Sequence, residues 1–170
     1  MNAIRKLPAT ALATLFACLS LAGASGAGAP AQAPEFRLAS RSGGEISLSQ
    51  LRGQVVMINF WASWCGPCRQ EFPVLDAMYR KYRPMGFTLL AINVESDPAD
   101  AERFLAATPV TFPVAFDAGN AVSSSYGVSA MPTTLIIDRK GQVRWLHRAY
   151  KPGDENEYLD RVRALLKEAP

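Results

Sequence analysis

Two thiols, Cys65 and Cys68, stand two residues apart in the stretch Trp61-Ala62-Ser63-Trp64-Cys65-Gly66-Pro67-Cys68. The continuous apolar run Val55-Val56-Met57-Ile58-Asn59-Phe60 comes just before them, and residues suited to a helix follow. A strand that delivers a Cys-x-x-Cys pair to a helix start builds a reversible dithiol/disulfide centre. The first cysteine then lies at the positive end of the helix dipole, where a thiolate is favoured. The thiolate is the reactive form, so Cys65 is the expected nucleophile. It would attack a disulfide to give a mixed disulfide, which Cys68 would resolve. Gly66 and Pro67 shape the turn: proline suits the first helical position, and glycine allows a close approach. Trp64, beside Cys65, is a contact candidate, whereas Trp61 is as well suited to a core.

Other uses of the pair fit less well. A structural bridge here closes a tiny loop and would constrain the unfolded chain little. A zinc site needs more ligands, and beyond this pair the sequence offers only Cys18 and His147. No metal site is therefore expected. Covalent haem attachment requires histidine where Arg69 stands. His147, near a strand end, reads as a surface residue with no role.

The surrounding pattern supplies a scaffold. Phe36-Arg37-Leu38-Ala39 and Ile46-Ser47-Leu48 alternate about the turn Ser42-Gly43-Gly44-Glu45, which predicts a hairpin. The run 55–61 reads as a central strand covered on both faces. A helix is predicted over 67–83, with Phe72, Leu75, Met78, Tyr79 and Tyr82 on its apolar face and Pro73 inside, where it should kink the helix. Phe87 to Val94 is a second buried strand. Asp97 is the candidate N-cap, with Pro98 at the first position, of a helix ending near Ala107. A short strand over 112–116 and a short helix over 118–126 come next. Strands over 134–138 and 142–148 flank a turn, and a helix over 154–168 closes the chain. Strand–helix–strand alternation implies parallel pairing through right-handed crossovers, and the final hairpin adds antiparallel strands. The expected class is α/β, with a mixed central sheet, helices on both sides and an N-terminal β-hairpin extension.

The 170 residues suit one domain plus an extension. Residues 1–29 read as an export signal or membrane anchor running into the start of a linker. Arg5 and Lys6 precede the apolar stretch Leu7 to Leu21, and small residues follow. Three fates are open: cleavage to a soluble protein, retention as a membrane tether, or lipidation at Cys18 in the lipoprotein-like box Leu15-Phe16-Ala17-Cys18. Each places the folded part outside the cytoplasm, in a periplasmic or other extracytoplasmic space. Residues 30–34 continue the linker, and the folded domain is expected over 35–170. Taking Arg5 and Lys6 from the 18 bases leaves 16 against 15 acids. With no clustered basic patch, a nucleic-acid partner is not expected.

The block Asn59-Phe60-Trp61-Ala62-Ser63-Trp64-Cys65-Gly66-Pro67-Cys68-Arg69-Gln70-Glu71-Phe72-Pro73 is similar to the active-site block of the exported TlpA/ResA-like thiol–disulfide oxidoreductases, which have the thioredoxin fold. Leu48 to Val56 resembles that family's lead-in, Ala91-Ile92-Asn93-Val94 its next strand, and Val128-Ser129-Ala130-Met131-Pro132-Thr133-Thr134 the loop with its cis-proline. The resemblance implies a cis bond before Pro132, bringing the Met131 backbone beside Cys65 to pair with an extended client segment. It gives Glu71 a role near the cysteines. Thioredoxins proper carry aspartate where Asn59 stands and lysine where Ala91 stands, so Glu71 is expected to handle the proton of Cys68. The competing reading is a solvated first-turn glutamate.

The resemblance, with the uncharged Gly66-Pro67 pair, implies a reductant of client disulfides or paired cysteines, often those awaiting haem or copper. A membrane thiol electron relay would recharge it. No cofactor beyond the redox-active Cys65–Cys68 disulfide is expected. Two alternatives stand beside this reading: an oxidase or isomerase using the same residues, and a copper-binding assembly chaperone.

Overall fold

The computed structural model describes residues 32–169. Residues 1–29, expected to direct export and carrying Arg5, Lys6 and Cys18, lie outside the described residues. The strands are β1 (Arg37–Ser40), β2 (Glu45–Ser47), β3 (Val55–Trp61), β4 (Phe87–Asn93), β5 (Val114–Phe116), β6 (Thr133–Ile137) and β7 (Val143–Arg148). The helices are α1 (Gly66–Tyr82), α2 (Ala99–Ala107), α3 (Ala121–Ser125) and α4 (Asp154–Lys167).

The seven strands form one mixed sheet in the order β2-β1-β5-β4-β3-β6-β7. β3 and β4 pair in parallel through α1, and β4 and β5 through α2. Crossovers of this kind are what the alternating pattern requires. β6 runs antiparallel to β3, and β7 antiparallel to β6. The chain has the thioredoxin fold. The hairpin of β1 and β2 is continuous with the sheet, because β1 also pairs with β5.

β3 and β4 are buried along their whole length. Apolar side chains on both faces let these strands serve two cores. On one face Met57 and Trp61 pack with Phe72 and Leu75 of α1, Leu105 of α2 and Val162 of α4. On the other, Ile58 and Phe60 pack with Phe36, Leu90, Val122 and Tyr126. Asn59 is the polar intrusion into this layer, and it too is fully buried.

Helix α1 runs unbroken through Pro73. Gly86 closes the following turn at φ 85°, in the left-handed region that glycine enters without strain. Residues 32–34, expected in the linker, are docked. Gln32 bridges to Gln142, the Ala33 N–H donates to the Gly141 carbonyl at 2.9 Å, and the Pro34 carbonyl accepts from the Tyr126 hydroxyl at 2.7 Å. Ala33 is buried against the second core, which draws these residues onto the domain despite their linker-like composition. Helix α2 starts one residue later than its signals suggest: Pro98 is the cap, and the Asp97 carboxylate accepts from the Ala99 N–H at 2.9 Å.

Candidate functional site

β3 ends at Trp61, and a short turn carries the chain into α1. Cys65 is the N-cap of that helix, with φ −79° and ψ 106°, and its sulfur accepts from the Cys68 N–H at 3.2 Å. Gly66 and Pro67 open the first turn. Cys65 and Cys68 are joined by a disulfide, with Cα atoms 5.3 Å apart. Cys68 is wholly buried and Cys65 is 5% exposed. The outer sulfur therefore sits where unpaired helix N–H groups favour a thiolate, and the inner one lies behind it.

The peptide bond between Met131 and Pro132 is cis. This loop lies against the helix start, so that Trp64, Cys65, Gly66 and Pro67 face Val128 to Met131 across one open groove. Trp64 is 68% exposed at its rim. Trp61, by contrast, is core, packed edge-on against Phe72 with ring centroids 4.7 Å apart. An apolar groove beside a capped cysteine can receive an extended chain and present its sulfur to Cys65.

Glu71 is fully buried on the inner face of α1, which removes the solvated reading. The Asn59 amide donates to its carboxyl at 3.2 Å, and the Thr134 hydroxyl donates to it at 3.4 Å. Asn59 also donates to Thr134 at 3.0 Å. Burial pushes the Glu71 pKa up to about 7, against the lowering influence of Asn59, Tyr158 and Thr134; the Asp154 charge adds to the rise. A carboxyl tuned to neutrality can both take and return a proton at physiological pH.

Several residues around this centre carried no signal in the motif. Glu95, just past the end of β4, accepts from the Ser63 N–H at 2.8 Å, the Ser63 hydroxyl at 2.7 Å and the Asn93 amide at 2.8 Å. It holds the turn that leads into Cys65. An acid at the carboxyl end of the strand beside β3 was the available clue. Tyr158 of α4 buries its hydroxyl near Glu71, where no hydrogen bond of ordinary geometry is formed. His147, expected as a surface residue, lies on the last strand of the sheet. It is 25% exposed, lies 3.1 Å from the Asp154 carboxylate and stacks on Trp145. Among the described residues no three His, Cys, Asp or Glu side chains gather as metal ligands. Among the same residues no helix is long and apolar enough to cross a membrane.

A thioredoxin fold with a cysteine pair at the start of α1 defines a class of redox-fold domains. The chain belongs to the redoxin family, whose model matches residues 27–162. It is 38% identical over 112 residues to the thiol-disulfide oxidoreductase ResA of Geobacillus thermodenitrificans (strain NG80-2), covering 66% of this chain and 64% of that protein. ResA of Bacillus subtilis (strain 168) is also 38% identical, over 111 residues, covering 65% and 62%. The chain thus spans a little under two thirds of the length of these relatives. Among solved structures, one described as thiol:disulfide interchange protein DsbE from Chlorobium tepidum is 41% identical with a TM-score of 0.79. That match covers 82% of this chain and 98% of the other. One described as a protein disulfide isomerase from Bacteroides thetaiotaomicron is 30% identical with a TM-score of 0.76, covering 82% and 91%.

Proposed function

We propose that the chain is an extracytoplasmic thiol–disulfide oxidoreductase that reduces disulfides in client proteins through Cys65 and Cys68. The observation that carries this reading is Cys65 capping α1 and lining the groove opposite Val128 to Met131, with Cys68 buried one turn behind. In the reduced protein the Cys65 thiolate attacks one client sulfur. A Cys65–client disulfide forms, the client bond breaks, and the displaced client thiolate takes a proton from solvent. Cys68 gives its proton to Glu71 and attacks Cys65, so that the internal disulfide forms and the second client sulfur leaves as a thiolate, which takes a proton from solvent. Two electrons pass from the protein to the client.

The uncharged Gly66-Pro67 pair supports the reducing direction, since neither residue adds a charge to stabilise the thiolate further. Trp64, Met131 and Pro132 form the client contact. Client cysteines awaiting haem or copper suit this role, and a membrane thiol relay returns electrons to the pair. No bound cofactor takes part. Residues 1–29 direct export, with or without a lasting membrane tether. The likeness to the Bacteroides protein favours a second reading, isomerisation by the same residues.

Trapping tests the mechanism. In Cys68→Ala expressed in its native cell, a client should accumulate on Cys65 and be identified by mass spectrometry. No covalent adduct, together with wild-type behaviour of Cys65→Ala, would refute it. A potential well below that of glutathione supports the reductant, and one at or above it supports the isomerase.

A further inference from the structure

Four carboxyls are buried among the described residues, and three of them accept from backbone N–H groups. Asp76 accepts from the Thr111 N–H at 2.6 Å, Asp117 from the Ser123 N–H at 2.7 Å and Asp138 from the Gln142 N–H at 2.9 Å. Asp76 and Asp138 also face an arginine. Partners of this kind favour the charged acid and let it pin a loop. Glu71 is different. It lies inside α1, where the helix ladder occupies the backbone N–H groups. No arginine or lysine among the described residues acts on it. Its donors are two side chains, the Asn59 amide at 3.2 Å and the Thr134 hydroxyl at 3.4 Å. Strand register sets Asn59 of β3 opposite Thr134 of β6, and directly paired residues stand on the same face. The amide also donates to that hydroxyl at 3.0 Å, which closes a buried triangle. The Asn59 carbonyl oxygen is left buried without a partner. An unpaired polar atom costs stability, so the amide hydrogens are turned on Glu71 and Thr134 against a local penalty.

We propose that Asn59 and Thr134 are positioning residues of the resolving step: they hold the Glu71 carboxyl and favour its charged form, the form that takes the Cys68 proton. The inference rests on the oxidoreductase reading above. Burial penalises the charge, and a carboxyl that stays neutral cannot accept a proton. The two donors offset part of that penalty without adding a charge of their own, and Glu71 comes out at about 7. An acid in place of Asn59 could not do this, because two carboxyls about 3 Å apart cannot both ionise. When Cys68 attacks Cys65, the thiol proton moves to a Glu71 oxygen and the sulfur electron pair forms the new bond. The groups facing Glu71 are Asn59 of β3, Thr134 of β6, Tyr158 and Asp154 of α4, and Tyr150 after β7, itself bonded to Glu155. Cys68 lies one turn back on its own helix. His147 stands opposite Thr134 on β7 and pairs with Asp154.

Reduced protein mixed with an aromatic disulfide releases one coloured thiol when Cys65 attacks and a second when Cys68 resolves, and stopped flow separates the two. The second release should rise with pH as Glu71 ionises. Thr134→Val and Asn59→Leu each remove a donor to a charged group, which moves that rise upward by about one pH unit. At about pH 6 the second release then slows about tenfold, and by about pH 9 it returns to the wild-type rate. The first release, which precedes any transfer to Glu71, should keep its wild-type profile. Carbon-13 NMR of the Glu71 carboxyl in the oxidised variants should show the same upward shift. Thr134→Val exchanges a hydroxyl for a methyl at constant shape, so it reads the role even where Asn59→Leu does not fold. An unmoved Glu71 titration would overturn the inference. So would an unmoved second-release profile, or slowing by one factor at every pH, which marks a purely structural role. If wild type gives the first release and never the second, the oxidoreductase reading falls and this role with it.

Discussion

Glu71 shows how burial turns a common side chain into a tuned one. Its folded-state pKa of about 7 stands above the ordinary value of 4.5 because desolvation outweighs three polar neighbours. A raised pKa means that the folded protein holds this proton more tightly than the unfolded chain does. The resulting stability is fully present below about pH 4.5 and is lost as pH rises through about 7. The loss across this window amounts to about 3 kcal/mol at most. Urea unfolding of the oxidised protein should therefore show a midpoint that falls from acid to mildly alkaline pH, and a flatter dependence in Glu71→Gln. Equal slopes in the two proteins would remove the tuned carboxyl. Spacing put Glu71 three residues after Cys68, but a first-turn glutamate suits solvent as well as a core. Its burial follows from Asn59 and Thr134, which lie 12 and 63 residues away in sequence.

The turn from β3 into α1 depends on a clamp from the neighbouring strand. Ser63 gives both its N–H and its hydroxyl to Glu95, and Asn93 steadies the same carboxylate. Removing a charged acceptor from such a set leaves donors unsatisfied and costs about 1–3 kcal/mol. Glu95→Ala should lose roughly that much in urea unfolding and should change the rate at which Cys65 attacks a small disulfide. Glu95→Gln should recover part of both. An unchanged attack rate in Glu95→Ala would confine the clamp to stability. The motif forecast Cys65 at a helix start, because that is local; the helix begins at Gly66, one residue before the predicted Pro67, which makes Cys65 its cap. The clamp joins the ends of two parallel strands, so no window of sequence contains it. The one-residue shift at α2 is local as well: Pro98 is already helical at φ −73° and ψ −4°, and the Asp97 carboxylate caps the N–H just beyond it.

The sheet and its two cores hold the site in place from below. Trp61, Phe72, Phe104 and Phe112 form a connected aromatic cluster, with centroid separations from 4.7 to 5.6 Å. Phe72 lies at its centre and belongs to the same helix as Cys68. Phe72→Ala should cost about 3–5 kcal/mol by thermal or denaturant unfolding, the range for emptying a packed aromatic site. A loss under about 1 kcal/mol would mean that the core collapses around the gap. Periodicity named this helix face, since apolar residues at helical spacing must be buried together. It did not reveal that residues 32–34 dock, because their Ala and Pro content resembles a linker until Gly141 and Tyr126 supply partners.

The order of residues alone specified the strand–helix junction, the paired thiols, the buried strands and the apolar helix faces. Each arises from interactions among near neighbours or from a repeating hydrophobic period. Folding in three dimensions assigned the rest: an acid from the next strand holding the turn, and a cradle of Asn59 and Thr134 that buries Glu71. Those contacts join segments far apart along the chain, and only the packing of the sheet brings them within hydrogen-bonding reach.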